Sequence, residues 1–482
     1  MHISKRFIKS SVVYTVAGML PMGSAVILLP FYIAFLSTSD FGALSIYFAF
    51  SLLIQIITTF SFDTSLYIHY HELKNDRPRL NTFVSSAFFL MIFIGSAVGL
   101  IFVFVGDFVF TKIFEGKTIS FHPYGLIAAF TGVFQSLFKV KGNLLQSREK
   151  PDVFFWANVI SFGLVVVFTI AGLKVFPNTL VGPVGGRMLA AVLSGSWAFW
   201  RILREFGVHF NYPLLRSTFH FNFYTYFYQI LQWVINYFDR VILVFYLTLS
   251  DIGVYDFAFK CLLIIEFILN GLHNTFYPKV VSTVMGQKQK GSSPETNRYY
   301  HGFIAVLMIL ICFCILTFPW VIETFVSKRS YHEAIPILPY LAVIYIFRAI
   351  RLYFASPYGI IKYTKPLPII YGIVSAVKIG LTILLITRFG LYGAVASSIT
   401  AAILEIILLR FNLGERFVFT YNRFKILVAP IGLFLLIVGL EPFYGIQFGF
   451  LLHLFYVIAC VVMLWWAYRN ELKLLDPLKI IR

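Results

Sequence analysis

Six basic side chains lie inside stretches otherwise too apolar to hold them: Arg187, Arg240, Lys260, Arg348, Arg351 and Lys378. A lysine or arginine at the middle of a bilayer costs about 2.5–3.5 kcal/mol on insertion scales, so six of them call for a use. Guanidinium forks bind phosphate oxygens bidentately and lysine adds a compact charge. That chemistry suits a phosphate ester, with a diphosphate the better match for several cations. The acids in the same stretches are Asp63, Asp239, Asp256, Glu266 and Glu405. A carboxylate held in apolar surroundings binds a proton more readily than one in water. Glu266 and Asp63 are therefore the first candidates for ion coupling, with Glu405 and Asp239 behind them.

Spacing separates these residues further. Arg348 and Arg351 are three apart, on one helical face, with no acid nearby in sequence, and a substrate role suits them best. Asp256 and Lys260 are four apart, and Asp239 is next to Arg240; both fit a structural ion pair as well as a ligand site. Lys378 falls midway along its stretch. Arg187 lies near the end of one and can snorkel to the interface. At about 100° per residue, Asn222, Thr225, Tyr228, Gln229, Gln232, Asn236, Asp239 and Arg240 share roughly a 120° arc. Asp256, Lys260, Glu266, Asn270, His273, Asn274 and Tyr277 form a second stripe, and Tyr47, Ser51, Gln55, Thr58 and Asp63 a weaker third. Lipid cannot satisfy such groups, so the stripes face protein or water. The amides of Gln232, Asn236 and Asn270 suit sugar hydroxyls. His273, one turn from Asn270, fits a satisfied polar group better than a proton relay.

The elements that must position these side chains are membrane helices. Of the 482 residues 59% are hydrophobic and 12% charged, with a mean hydropathy of +0.83. Crossing a hydrocarbon core takes about 20 apolar residues, and such runs are expected near 11–36, 42–68, 82–105, 121–138, 153–173, 179–200, 219–246, 252–277, 301–325, 334–358, 367–387, 391–409, 425–440 and 444–468. Alternating β-barrel patterning is absent. The expectation is an all-α polytopic membrane protein of about fourteen helices, the first retained rather than cleaved. With the N-terminus inside, cytoplasmic segments hold 27 of the 39 Lys and Arg and outer loops hold 6. This positive-inside bias puts both termini in the cytoplasm and explains the net charge of +18 without nucleic acid. Loops are too short for a catalytic domain; the longest, 278–300, reads as a flexible linker between two bundles. Cys261, Cys312, Cys314 and Cys460 all fall in expected spans, where they read as apolar filler rather than a disulfide or metal site.

The chain also repeats itself. LSTSDFGALSIYF at 36–48 returns as LTLSDIGVYDFAF at 247–259, keeping the Asp-x-Gly of Asp40–Gly42 in Asp251–Gly253. At the same offset of 211, LVGPVGGRMLAAVL at 180–193 returns as LYGAVASSITAAIL at 391–404. Each copy has an even number of spans, so both run the same way through the membrane. The division is a six-helix lobe over 1–210, its repeat over 211–412, and two further spans with a tail over 413–482. The 6 + 6 + 2 plan, with FDTSLYIHYHE at 62–72, FDR at 238–240, SDIGVYDFAFK at 250–260 and FYPKV at 276–280, resembles the polysaccharide-exporter branch of the multidrug/oligosaccharidyl-lipid/polysaccharide superfamily. The resemblance implies a flippase, moving undecaprenyl-diphosphate-linked oligosaccharides across the bacterial inner membrane by alternating access of two lobes. Its partners would be that lipid-linked glycan, membrane lipid, and the glycosyltransferases and polymerase of the same pathway. No nucleotide-binding G-x-x-x-x-G-K-[ST] occurs, so an H+ or Na+ gradient rather than a cofactor is the expected drive. A lipid II flippase and a cation-coupled multidrug exporter of the same superfamily are the alternatives; the basic excess counts against the exporter.

Overall fold

The computed structural model describes residues 5–286, 291–440 and 449–472. The part of the expected linker at 287–290, the first residues of the last expected span and the C-terminal tail lie outside them. Among the described residues the chain is helical apart from one isolated bridge between Gly291 and Val418. Where they are described, the expected runs fall mainly on helix, and seven of the described helical segments are long and apolar enough to cross a membrane. The chain divides into two compact units, Met1–Gly253 and Val254–Arg482.

The first unit is built from α1 (Lys5–Phe35), α2 (Thr38–Thr59), α3 (Phe62–Leu73), α4 (Arg77–Ile113), α5 (Leu126–Ser147), α6 (Pro151–Val175), α7 (Val181–Phe206), α8 (Tyr212–Tyr246) and the first turn of α9 (Leu249–Cys261). One expected span, 42–68, is two helices. Phe60 (φ 41°) and Ser61 (φ 58°) both take the left-handed conformation between α2 and α3, an uncommon state for two consecutive residues with side chains. The packing unit therefore ends after Gly253, beyond the repeat boundary expected at 210/211, because α8 lies against α2, α3 and α4. The core where α3, α4, α5, α7 and α8 meet is Phe62, Phe83, Phe88, Leu137, Ile202 and Leu215 with their neighbours.

The repeated segments explain themselves here. Ser37 caps α2, its hydroxyl and Asp40 bonding reciprocally to each other's backbone. Thr248 and Asp251 do the same at the start of α9. This capping box satisfies backbone donors that a helix leaves open. Gly42 and Gly253 let the two starts touch: a Cβ at Gly42 would overlap the Leu249 carbonyl oxygen, and one at Gly253 the Thr38 carbonyl oxygen. The hydroxyls of Thr38 and Ser250 bond across the contact at 2.7 Å.

The second unit takes the rest of α9, then α10 (Leu263–Met285), α11 (Pro294–Phe325), α12 (Leu338–Ile360), α13 (Leu367–Leu413), α14 (Ala429–Leu440) and α15 (Gly449–Leu472). α13 contains two expected spans joined through Gly390 (φ 55°), where the helix breaks. α12 is apolar nearly all round and buried nearly all round, packed by α10, α11, α13 and α14, as such a helix must be. The described part of the expected linker is not loose. α10 runs through Met285 and α11 begins at Pro294; between them Ser292 exchanges hydrogen bonds with Val418 and Thr420, and Asn297 donates to the Thr420 carbonyl.

Candidate functional site

In the second unit two intramembrane ion pairs meet on α12. Arg348 donates to Glu266 of α10 at 2.9 Å, with its guanidinium 5.2 Å from the Tyr345 ring and 5.8 Å from the Phe259 ring. One turn on, Arg351 reaches Glu405 of α13 at 3.4 Å. No acid lies near these arginines in sequence, yet both are paired. Their partners come from helices distant in sequence, because a buried cation is far less costly beside a counter-charge. Two sets read separately from the sequence, cations for substrate and carboxylates for coupling, are thus one set. Arg348, Arg351 and Glu266 keep about a fifth of their side chains accessible, while Glu405 is buried. Lys260 and Asp256 pair at 2.5 Å, both buried. Lys378 is buried on α13, one turn before Thr382, whose hydroxyl donates to the Lys378 carbonyl. Asn270 is half-buried. His273 lies 3.4 Å from the Ser356 hydroxyl, which also accepts from Tyr300 at 2.6 Å.

In the first unit Asp63 sits in the first turn of α3, directly after the break. Its carboxylate takes Lys139 of α5 at 3.0 Å and the Gln229 amide of α8 at 3.1 Å. The Asp63 carbonyl accepts from Asn143. Sequence reading missed Lys139 and Asn143: hydropathy ends the span at 138, but α5 continues to Ser147. Arg240 bonds the adjacent Asp239 at 2.8 Å and the Asn236 carbonyl at 3.1 Å. Asn236 in turn donates to the Gln232 carbonyl, so these polar groups are partly spent on one another. Arg187 is different. Its guanidinium lies 4.0 Å over the Phe48 ring, and among the described residues no carboxylate is within pairing distance of it.

The sequence matches the family described as polysaccharide biosynthesis protein over residues 7–284. The chain belongs to this family. The polysaccharide biosynthesis protein also shares its fold with solved members of the multidrug/oligosaccharidyl-lipid/polysaccharide superfamily. It is similar to the structure described as lipid II flippase MurJ in an inward closed conformation, with a TM-score of 0.73, 17% identity, and 96% of this chain and 99% of that chain covered. It is similar to an outward-facing multidrug resistance MATE family transporter, with a TM-score of 0.60, 13% identity, and 85% and 96% covered. A third likeness is to a superfamily transporter from Pyrococcus furiosus described by a reverse polarity of its binding pocket, with a TM-score of 0.56, 14% identity, and 85% and 96% covered. No curated protein sequence matches it.

This family member is a multi-pass membrane protein with a second charged cluster outside its expected spans. Glu205, at the end of α7, bonds Arg148 and pairs with Lys141 at 3.4 Å and Lys150 at 3.9 Å. Burial alone would raise the Glu205 carboxyl. The Arg148 hydrogen bond and the three cations outweigh it and hold the group at about 2. Lys141 is pushed down to about 8 by burial, against the pull of Glu205. Among the described residues no group of His, Cys, Asp and Glu is arranged to hold a metal, and all four cysteines are free.

Proposed function

We propose that the protein flips undecaprenyl-diphosphate-linked oligosaccharides across the bacterial inner membrane by ion-coupled alternating access. The observation that carries this reading is the double pair on α12: two arginines one turn apart, each on a carboxylate, each still partly accessible. A diphosphate offers pairs of terminal oxygens that a guanidinium binds bidentately, as it binds a carboxylate, and carries more charge, so it competes for the two forks. A diphosphate that takes both arginines leaves Glu266 and Glu405 as the groups for the coupling ion, and this ties substrate binding to ion uptake. Lys378 adds a cation on α13, the helix that also carries Glu405. Gln232, Asn236 and Asn270 suit the sugar hydroxyls, and Asp63 with Lys139 forms a second coupling pair. The positive-inside bias supports both termini in the cytoplasm, and the short loops leave chemistry on the glycan to partner glycosyltransferases and a polymerase.

The test is reconstitution in liposomes with a short-chain polyprenyl-diphosphate oligosaccharide on one side, with and without a pH or sodium gradient. Wild type is expected to move the lipid faster with a gradient, and Arg348→Ala/Arg351→Ala to lose that movement. Efflux of cationic dyes with no movement of the lipid would replace this reading with the drug exporter. Movement of lipid II alone would narrow it to that substrate.

A further inference from the structure

The geometry points to a phosphate-ester site in the first unit, formed by Arg187 of α7 over Phe48 of α2, with the hydroxyls of Tyr32 and Thr169 behind it. Of the other intramembrane cations, Arg240, Lys260, Arg348 and Arg351 each touch a carboxylate. Arg187 touches none among the described residues, yet it stands in the middle of α1, α2, α6 and α7. The Arg187 guanidinium is partly buried, with the Phe48 ring on one face and the Tyr32 hydroxyl beside it, so without a carboxylate its charge is only partly compensated. It offers five N–H donors in a plane, and Phe48 stacks on a face of that plane, which takes none of them.

Two further groups point to a ligand. The Tyr32 hydroxyl faces both Arg187 and Thr169, on a residue 1% exposed, and makes no hydrogen bond of normal geometry. The Thr169 hydroxyl, on a residue fully buried, makes none either. Buried hydroxyls whose hydrogen-bonding capacity is left unfilled are uncommon and costly, and two beside an arginine that has no carboxylate form a donor set for phosphate oxygens. The repeat supplies a control. Phe48 and Phe259 are equivalent positions, and each carries a guanidinium, but the one over Phe259 is neutralised by Glu266. Ser398 stands where the second copy should have its Arg187, so the repeat architecture does not itself demand an arginine here. The site sits near the C-terminus of α1 and the N-terminus of α7. On the topology proposed above, and resting on that reading, this is the extracytoplasmic side, where a flipped diphosphate arrives.

Full-length protein in detergent, titrated calorimetrically with farnesyl diphosphate, tests the site, alongside phosphatidylglycerol retention in nanodiscs followed by native mass spectrometry. Arg187→Gln is expected to weaken diphosphate binding about ten- to a hundredfold, with Arg187→Lys in between. Tyr32→Phe and Thr169→Val, which keep shape and packing, are expected to weaken it about three- to tenfold. Arg187-dependent retention of phosphatidylglycerol without farnesyl diphosphate binding would keep the phosphate-ester site and assign it to bilayer lipid. Unchanged binding of both probes in all four variants, with unchanged melting temperatures for Tyr32→Phe and Thr169→Val, would overturn the site and leave Arg187 as packing on Phe48. Because the readout is binding, a failed flipping assay with intact Arg187 dependence removes only the transport reading.

Discussion

Glu205 is a single carboxylate serving three cations, and that imbalance makes it the most exposed point of the charge network to a change of pH. Its folded value of about 2 lies below that of a free glutamate. The stability it contributes is therefore complete above about 4.3 and is lost as the pH falls toward 2. Lys141 has the opposite sign: held at about 8 when folded, its protonation below that value costs stability, which is recovered above about 10.4. Glu205→Gln leaves Lys141 and Arg148 without their counter-charge and should cost about 2 kcal/mol at neutral pH. Thermal unfolding between pH 7 and pH 3 checks this, wild type falling steeply below pH 4 and the variant staying nearly flat. Asp63 makes a separate prediction. Asp63→Asn removes the partner of Lys139 and is expected to bring flipping in liposomes down to its no-gradient level, whereas Glu205→Gln keeps the gradient response. The residue types of the charge network were legible in the sequence, as were the local pairs of Asp256 with Lys260 and Asp239 with Arg240, but the pairs between helices were not. Glu266 and Arg348 are 82 residues apart, and no local spacing rule relates positions on α10 and α12. Lys139 was hidden for a different reason: its helix outlasts its apolar run.

Helices were legible wherever hydropathy and turn chemistry agreed. The break inside α13 falls at Gly390, between two separately expected spans, whereas α2 and α9 start a few residues before the expected 42 and 252, where Ser37 with Asp40 and Thr248 with Asp251 cap them. The break between α2 and α3 was not legible, because Phe60 and Ser61 carry neither the glycine nor the proline that ordinarily marks one. Tertiary contacts around Asp63 hold it instead. At Gly42 the expected outcome is sharp. Gly42→Ala puts a methyl into the Leu249 carbonyl, a backbone group that cannot turn aside, and should destabilise by about 3 kcal/mol or more. Gly18→Ala, where a Cβ meets nothing within 4 Å, should be neutral or gain about 0.5–1 kcal/mol from helix propensity. Fluorescence-detected size exclusion after graded heating separates the two.

For the molecule as a whole, the distribution of Lys and Arg predicts an orientation that the family and fold matches leave open. A fluorescent-protein reporter fused after Lys365 or at Arg482 should be active in the cytoplasm. An alkaline phosphatase reporter after Lys117 or Ser327 should be active outside. The reverse pattern would invert every assignment of sidedness made here, including that of the Arg187 site. The contact at Gly42 and Gly253 also bears on how such a chain arose. Thr38 and Leu249 are themselves equivalent positions in the two copies, so each glycine rests on the carbonyl that corresponds to its partner's. That is the reciprocity of a two-fold homodimer interface, in which a patch meets itself. An ancestral half-length chain would have made this contact between two identical molecules, glycine to carbonyl, in both directions. Fusing the two genes keeps the contact and releases the copies from identity, and only then can one half hold an arginine where the other holds a serine.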